Sequence, residues 1–286
     1  MERLTFTQAF KRKYWQESRY VLKHIKAFNN GKDANWSDFK KVFLINLAQY
    51  FQSVVSPNSA RLYCSYLKAV FNMYCDEVNI PCKDYADILS LKKVGVLNVY
   101  LTNEEIMKLI YYVPENETEH VVRNQFVLSC LTGMRHSDVV NLRESNINGS
   151  EIIYMAQKTK NVVKTINSPV VVDFIQQGMN KLYSDMTFNN TIRDICKKVG
   201  INNIVNVVRG GESERGEKWQ FVSSHCGRRS FATNIYLHTK DIMLVSKLMG
   251  HSDITMTQRY ICADNRANQS VQNYFAQFQT EEKLYI

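Results

Sequence analysis

FVSSHCGRRSFATNIYLHTKDIMLVSKLMGHSDITMTQRYICAD, residues 221–264, is punctuated like two core helices and a loop, yet carries His225, Arg228, His251 and Tyr260 at marked positions. Ser223 and Ser224 are good N-cap residues, which predicts a helix with His225 and Arg228 in its first turn and on one face. That helix should bury Phe231 and Ile235. Asp241 as N-cap and Gly250 as stop bracket a second helix, with Leu244, Val245, Leu248 and Met249 facing inward. His251 follows that stop, and Tyr260 stands nine residues later. On an unbroken helix the two would lie about 13 Å apart along the axis. Thr255-Met256-Thr257 is a weak helix former, which leaves room for a break and a mobile Tyr260.

Upstream, the pattern predicts a mainly α chain with a small antiparallel β-sheet. Residues 1–93 read as helices only. Phe10, Tyr14, Val21, Ile25 and Phe28 form one stripe, and Trp36, Phe39, Phe43, Leu47, Tyr50 and Phe51 a second. Ser56-Pro57 opens a third helix, with Leu62, Tyr66, Val70 and Met73 on one face and Arg61, Ser65, Lys68 and Asn72 on another. The second face has the residue types for phosphate contact or for plain solvation. The pattern lapses over 94–100, where an interdomain linker is expected. Thr102-Asn103-Glu104-Glu105 is a capping box, so a second domain is expected over 101–286. A helix from about Glu119 ends at Thr132-Gly133, a turn holds Arg135, and helix resumes at Ser137. EIIYMAQ and VVKTIN read as a hairpin around Lys158-Thr159-Lys160-Asn161. Residues 187–200 read as helix, and two short strands flank an exposed Gly/Glu-rich turn before Phe221.

Composition bounds the function. The chain has 286 residues, 45% of them hydrophobic, enough for one large domain or two smaller ones with real cores. Its formal net charge is +9, and residues 1–95 carry most of it, with 15 Lys and Arg against 8 Asp and Glu. A basic N-terminal third suits a polyanion or a solvated face. No apolar run approaches a membrane span, and the first fifteen residues lack a signal-peptide pattern. Seven cysteines without a CxxC pair read as free thiols in a reducing cytoplasm, not as a zinc site. There is no GxxxxGK[ST] loop for ATP and no carboxylate cluster of the two-metal kind, so no cofactor and no metal are expected.

HCGRR followed by MGHSDITMTQRY resembles the C-terminal half of the signature of the tyrosine recombinase (phage integrase) family, H-x-x-R … G-H-S-x7-Y. LTGMRHSDVVNL at 131–142 resembles its first box, which puts the first arginine at Arg135 and an acidic residue at Asp138. The family's lysine sits between the boxes on a strand–turn–strand, where QKTKN lies. The K-T pattern assigns Lys158, with Lys160 as the alternative; many relatives have Gly where this chain has Lys160. The resemblance implies an N-terminal helical, SAM-like core-binding domain and an α+β catalytic domain that clamp double-stranded DNA. It points to the simple two-domain type without an arm-binding domain. It also implies a homotetramer on paired core sites, to which residues 265–286, with Tyr274, Phe275 and Phe278, could contribute an exchanged segment.

The chemistry asks for these residue types. Charge grows on the non-bridging oxygens of a phosphodiester under attack, and Arg135 and Arg228 can hold them bidentately. A phenol of pKa near 10 is only about 0.1% ionised at pH 7, so a tyrosine nucleophile needs a proton acceptor or a strongly positive site. In the roles the family implies, Tyr260 is the nucleophile, His225 the acceptor, and His251 a donor to a non-bridging oxygen. Lys158 is the general acid for the departing 5′ oxygen, and Asp138 is a supporting or helix-capping carboxylate. A covalent 3′-phosphotyrosine conserves the bond energy, so rejoining needs no fuel. Site-specific recombination is the reading, by integration, excision, inversion or resolution. A type IB topoisomerase-like nicking enzyme and a non-catalytic DNA clamp are the alternatives.

Overall fold

The computed structural model describes residues 4–177 and 181–262. The chain divides into two compact units, Met1–Val96 with Val208–Ser213, and Leu97–Val207 with Glu214–Ile286. It is mainly helical, with two small sheets.

The N-terminal unit holds α1 (Phe6–Lys13), α2 (Ser18–Phe28), α3 (Lys41–Val54), α4 (Pro57–Tyr74) and α5 (Tyr85–Ile88). Thr5 closes a capping box with Gln8 at the start of α1, and Ser56 caps α4 ahead of Pro57 at its first position. Its core is aromatic: Phe6, Phe10, Phe39, Phe51 and Phe71 are fully buried and meet mostly edge-on, as ring quadrupoles prefer. The buried stripe of α4 is Ala60, Cys64, Leu67, Phe71 and Tyr74 together with Val70. Leu62 and Met73, expected inside, are exposed. The small residues Ala60 and Cys64 share the true inner face with Leu67 and Phe71.

The larger unit is built on α7 (Glu117–Thr132), whose sides are buried almost all round. Ahead of it, Thr102 and Glu105 form the capping box of α6 (Asn103–Tyr111). After it come α8 (His136–Val139) and an antiparallel sheet of β1 (Ile147–Asn148), β2 (Glu151–Met155) and β3 (Val162–Ile166). The β2–β3 register sets Ile152 opposite Thr165 and Tyr154 opposite Val163, and these four are the buried face, the period-2 alternation of a half-covered sheet. Then follow α9 (Pro169–Gln176), α10 (Asp185–Lys198), the hairpin β4 (Ile204–Arg209) and β5 (Glu212–Glu217), of which Val208–Ser213 is grouped with the first unit, α11 (Ser224–Thr239), α12 (Ile242–Leu248) and α13 (Ile254–Gln258). The sequence reading missed α9 and β1, and it placed Leu244 inside, whereas Leu244 is solvent-exposed. A small separate cluster of Phe231, Ala232, Val245, Leu248 and Met249 joins α11 to α12, and Tyr260 packs against it.

Two glycines shape the turns that carry functional side chains. Gly133 ends α7 at φ +71, and a Cβ there would stand 2.5 Å from Phe231. Gly250 follows α12 at φ +64, and its Cβ would stand 2.5 Å from Val163. Both positions exclude a side chain twice over, by backbone strain and by lack of space. Gly133→Ala and Gly250→Ala should each lower stability by roughly 1–3 kcal/mol, read as a fall in urea midpoint at constant slope.

Candidate active site

The turn after α7 is fixed by its own hydroxyls. Ser129 Oγ donates to Met134 O at 2.8 Å, Thr132 Oγ1 accepts from Met134 N at 3.3 Å, and Thr165 Oγ1 of β3 donates to Thr132 O at 2.8 Å. Arg135 leaves this turn just before α8. Ser223 caps α11 by backbone conformation alone, and Ser224 N donates to Asn189 Oδ1 at 2.9 Å, docking the start of α11 on α10. His225 and Arg228 lie in the opening turns of α11. Asp241 accepts from two backbone N–H groups at the start of α12, which ends in the Gly250 turn that delivers His251. The chain breaks between α12 and α13, and Tyr260 sits in the turn that follows α13. The break brings the His251 and Tyr260 rings to 5.4 Å between centroids, far closer than a continuous helix would allow.

Arg135, Lys158, His225, Arg228 and Tyr260 line one cavity of about 330 Å³. Arg228 is the largest fully buried side chain, at 1% exposure. Its Nη1 donates to Gly133 O, and its Nη2 donates to Met249 O at 2.8 Å and to His251 Nε2 at 2.7 Å. The guanidinium also lies over the Tyr260 ring at 5.3 Å. Burial first, then the charge of Arg135, lower its pKa from the ordinary value, so an anion in the cavity would relieve both penalties. Arg228 Nε and Arg135 Nη1 are buried without a hydrogen-bond partner among the described residues. Two guanidiniums beside one cavity, with Arg135 lowering the preference of Arg228 for charge, favour an anion there.

A guanidinium can only donate, so His251 Nε2 accepts from Arg228 and the ring hydrogen sits on Nδ1, 2.9 Å from Thr257 Oγ1. This differs from the expected arrangement: Nε2 here offers a lone pair to Arg228, not a hydrogen to a phosphate oxygen. Burial, then Arg228 and Arg135, lower the pKa of His251 to about 4. His225 keeps contact with solvent but is flanked by enough protein to be desolvated. Burial, Arg229, Lys158 and Arg228 lower its pKa, and Asp185 opposes them. A ring kept neutral in this way can accept a proton at neutral pH.

Asp138 is buried, and its Oδ1 accepts from Gln157 N at 2.8 Å, tying α8 to the turn that carries Lys158. Its Oδ2 stands 4.0 Å from Arg135 Nη1. Lys158 and Thr159 line the cavity, whereas Lys160 is exposed and does not. Lys160 takes φ +56 in the turn closed by Lys160 N to Ala156 O at 2.8 Å, which explains why glycine suits this place. In the N-terminal unit, Arg61 and Ser65 are exposed on α4. Lys68 Nζ donates to Ser90 Oγ at 2.7 Å, and Asn72 Oδ1 accepts from Tyr85 Oη at 2.9 Å. The segment 265–286 lies outside the described residues. Sequence reasoning missed His136, Asp185 and Ser224, which also line the cavity. His136 stood next to Arg135 and could have been noticed; it bonds Gln125 at 2.9 Å and packs at a tilt against Phe188. Asp185 opens α10, ahead of the stretch read as helix, and nothing in the sequence links it to His225.

The model of the phage integrase family matches residues 99–266, more than half of the chain. The chain belongs to the phage integrase family. Tyrosine recombinase XerH of Campylobacter jejuni is 24% identical over 196 residues, covering 65% of this chain and 54% of its own length. Tyrosine recombinase XerC of Anoxybacillus flavithermus is 27% identical over 242 residues, covering 80% of this chain and 78% of its own. This integrase-family chain thus spans little more than half the length of XerH. A crystal structure of a lambda integrase dimer bound to a COC′ core site superposes with a TM-score of 0.66 at 18% identity, covering 99% of this chain and 100% of that one. That likeness is one of fold. No helix among the described residues is long and apolar enough to cross a membrane.

The depressed His251 has a consequence for stability. Unfolded, the ring binds a proton near pH 6.5; folded, it does so only near pH 4. Its contribution is therefore full above about pH 6.5 and is lost as pH falls towards about 4. Urea midpoints of the wild type should decline through this window more steeply than those of His251→Gln.

Proposed function

We propose that this chain is a site-specific DNA recombinase that cuts and rejoins double-stranded DNA through a covalent 3′-phosphotyrosine. The reading is carried by five side chains from distant parts of the sequence, Arg135, Lys158, His225, Arg228 and Tyr260, around one cavity that two guanidiniums border. Arg135 and Arg228 hold the non-bridging oxygens of the scissile phosphate. Tyr260 Oη attacks phosphorus and passes its proton to His225, whose depressed pKa keeps it ready to accept. The bond from phosphorus to the 5′ oxygen breaks as Lys158 supplies a proton to that oxygen, an effect typically of order 10²–10⁴ in rate. The reverse sequence on another 5′-hydroxyl completes strand exchange. Asp138 holds the Lys158 turn in place through Gln157.

Several features of the chain and its relatives support DNA as the partner. The +9 charge gathers in the N-terminal third. Both curated relatives carry the name tyrosine recombinase, and the lambda integrase of similar fold is seen on a core site. The helical unit would contribute phosphate contacts from α4, with Arg61 and Ser65 free for them and Lys68 and Asn72 reaching DNA only by giving up their present bonds. Action in the cytoplasm, assembly as a tetramer on paired sites and exchange of 265–286 belong to the same proposal.

Tyr260→Phe should bind a core-site duplex with wild-type affinity and form no covalent adduct on denaturing gels; a persisting adduct would move the nucleophile elsewhere. Lys158→Ala should lose cleavage on ordinary DNA and regain it on a 5′-bridging phosphorothiolate, whose sulfur departs without a proton. Rescue of Lys160→Ala in its place would reassign the acid. On a two-site plasmid the wild type should yield recombinant junctions, and relaxation alone would turn the reading towards a topoisomerase. Affinity should fall steeply between 50 and 200 mM salt, by about 10³-fold or more if six or more phosphates are contacted.

A further inference from the structure

Thr257 is the one fully buried side chain of α13, and it makes contacts in two directions. Its hydroxyl stands 2.9 Å from His251 Nδ1. Its backbone carbonyl accepts from the N–H of Tyr260 at 2.9 Å and of Ile261 at 3.3 Å. The polarity of the side-chain relay is forced from one end. Arg228 can only donate, His251 Nε2 must accept, Nδ1 must carry the hydrogen, and Thr257 Oγ1 must receive it. The relay ends on the guanidinium that borders the cavity, and the carbonyl side ends on the tyrosine that borders the same cavity.

We propose that Thr257 is a positioning residue for strand transfer, holding the His251 ring against Arg228 by accepting its Nδ1 hydrogen while its carbonyl seats the Tyr260 turn. The inference rests on the reading of Arg228 as a phosphate-binding group and Tyr260 as the nucleophile. A valine at this place keeps the shape of the side chain and removes the acceptor. The Nδ1 hydrogen then has nowhere to go, and the alternative tautomer would point a hydrogen from Nε2 at the N–H of Arg228. Donor would face donor, and either the ring or the guanidinium must turn away. Serine preserves the acceptor and loses only a methyl group.

Two measurements test this. Nitrogen-15 spectra of histidine-labelled protein without DNA, with the His251 signals assigned from their loss in His251→Gln, should show Nδ1 protonated and Nε2 bare in the wild type and in Thr257→Ser. Thr257→Val should keep the hydrogen on Nδ1 without an acceptor, its proton signal moved upfield from the wild type. In single-turnover adduct formation on a nicked core-site duplex, Thr257→Val should slow cleavage by about 10- to 100-fold at unchanged DNA affinity, the size found for partners that orient metal-bound histidines. Thr257→Ser should recover most of that rate. A wild-type spectrum with the hydrogen on Nε2 would overturn the proposal without any variant. So would a Thr257→Val protein with the wild-type Nδ1 signal and wild-type cleavage rate. The spectra are read without substrate, so the tautomer is decided even if the wild type forms no adduct, a result that would count against the recombinase reading instead.

Discussion

A buried guanidinium held only by neutral acceptors is the constraint on which this structure turns. Arg228 is 1% exposed and bonded to two backbone carbonyls and an imidazole nitrogen. Burying a cation costs several kcal/mol even after relaxation. Hydrogen bonds to a charged group each return about 1.5–3 kcal/mol. A carboxylate would have been a stronger partner, but it would also have cancelled the charge. Asp138 is the nearby acid, and it stands 4.0 Å from Arg135 with its other oxygen committed to Gln157 N. The fold therefore holds Arg228 in place with no carboxylate on it, leaving its charge to an incoming anion, which is electrostatic preorganisation in its direct form.

Those three acceptors come from two turns, one after α7 and one after α12, while Arg228 itself sits on α11. One side chain thus staples three helices, and the staple depends on two left-handed glycines. Gly133 supplies its own carbonyl, and Gly250 separates the Met249 carbonyl from His251. Folding and chemistry are joined at the same atoms. A sequence word such as GMR or GHS is short because it encodes a backbone conformation and a functional side chain together.

That union explains what was legible in the chain. Caps, glycine stops and the order of Arg135, Lys158, His225, Arg228, His251 and Tyr260 are local patterns, and reading them needs no knowledge of packing. The helix face of α4 was misread because its inner stripe includes Ala60 and Cys64, while Leu62 and Met73 point out. Hydrophobic periodicity weights large side chains, and a closely packed helix buries small ones. The role of Thr257 and the tautomer of His251 were out of reach for another reason. They depend on a through-space chain whose direction is set by Arg228, 29 residues before Thr257 in sequence. Asp185 was hidden similarly, since its effect on His225 arises where α10 meets α11.

Tyr260 is held in a contrasting way. Arg228 lies under charge-assisted bonds from several segments, whereas Tyr260 rests on a cluster of five buried side chains set apart from the main core. Its turn follows a five-residue helix, and Thr233 Oγ1 reaches its carbonyl at 3.3 Å. Few buried apolar contacts and short elements are the physical marks of a segment that opens at low cost. A firmly bonded guanidinium half therefore adjoins a more lightly held half that carries Tyr260. On the reading proposed above, rigidity belongs with the groups that hold the phosphate and compliance with the phenol that is joined to the strand and released. The boundary between the two runs through His251 and Thr257.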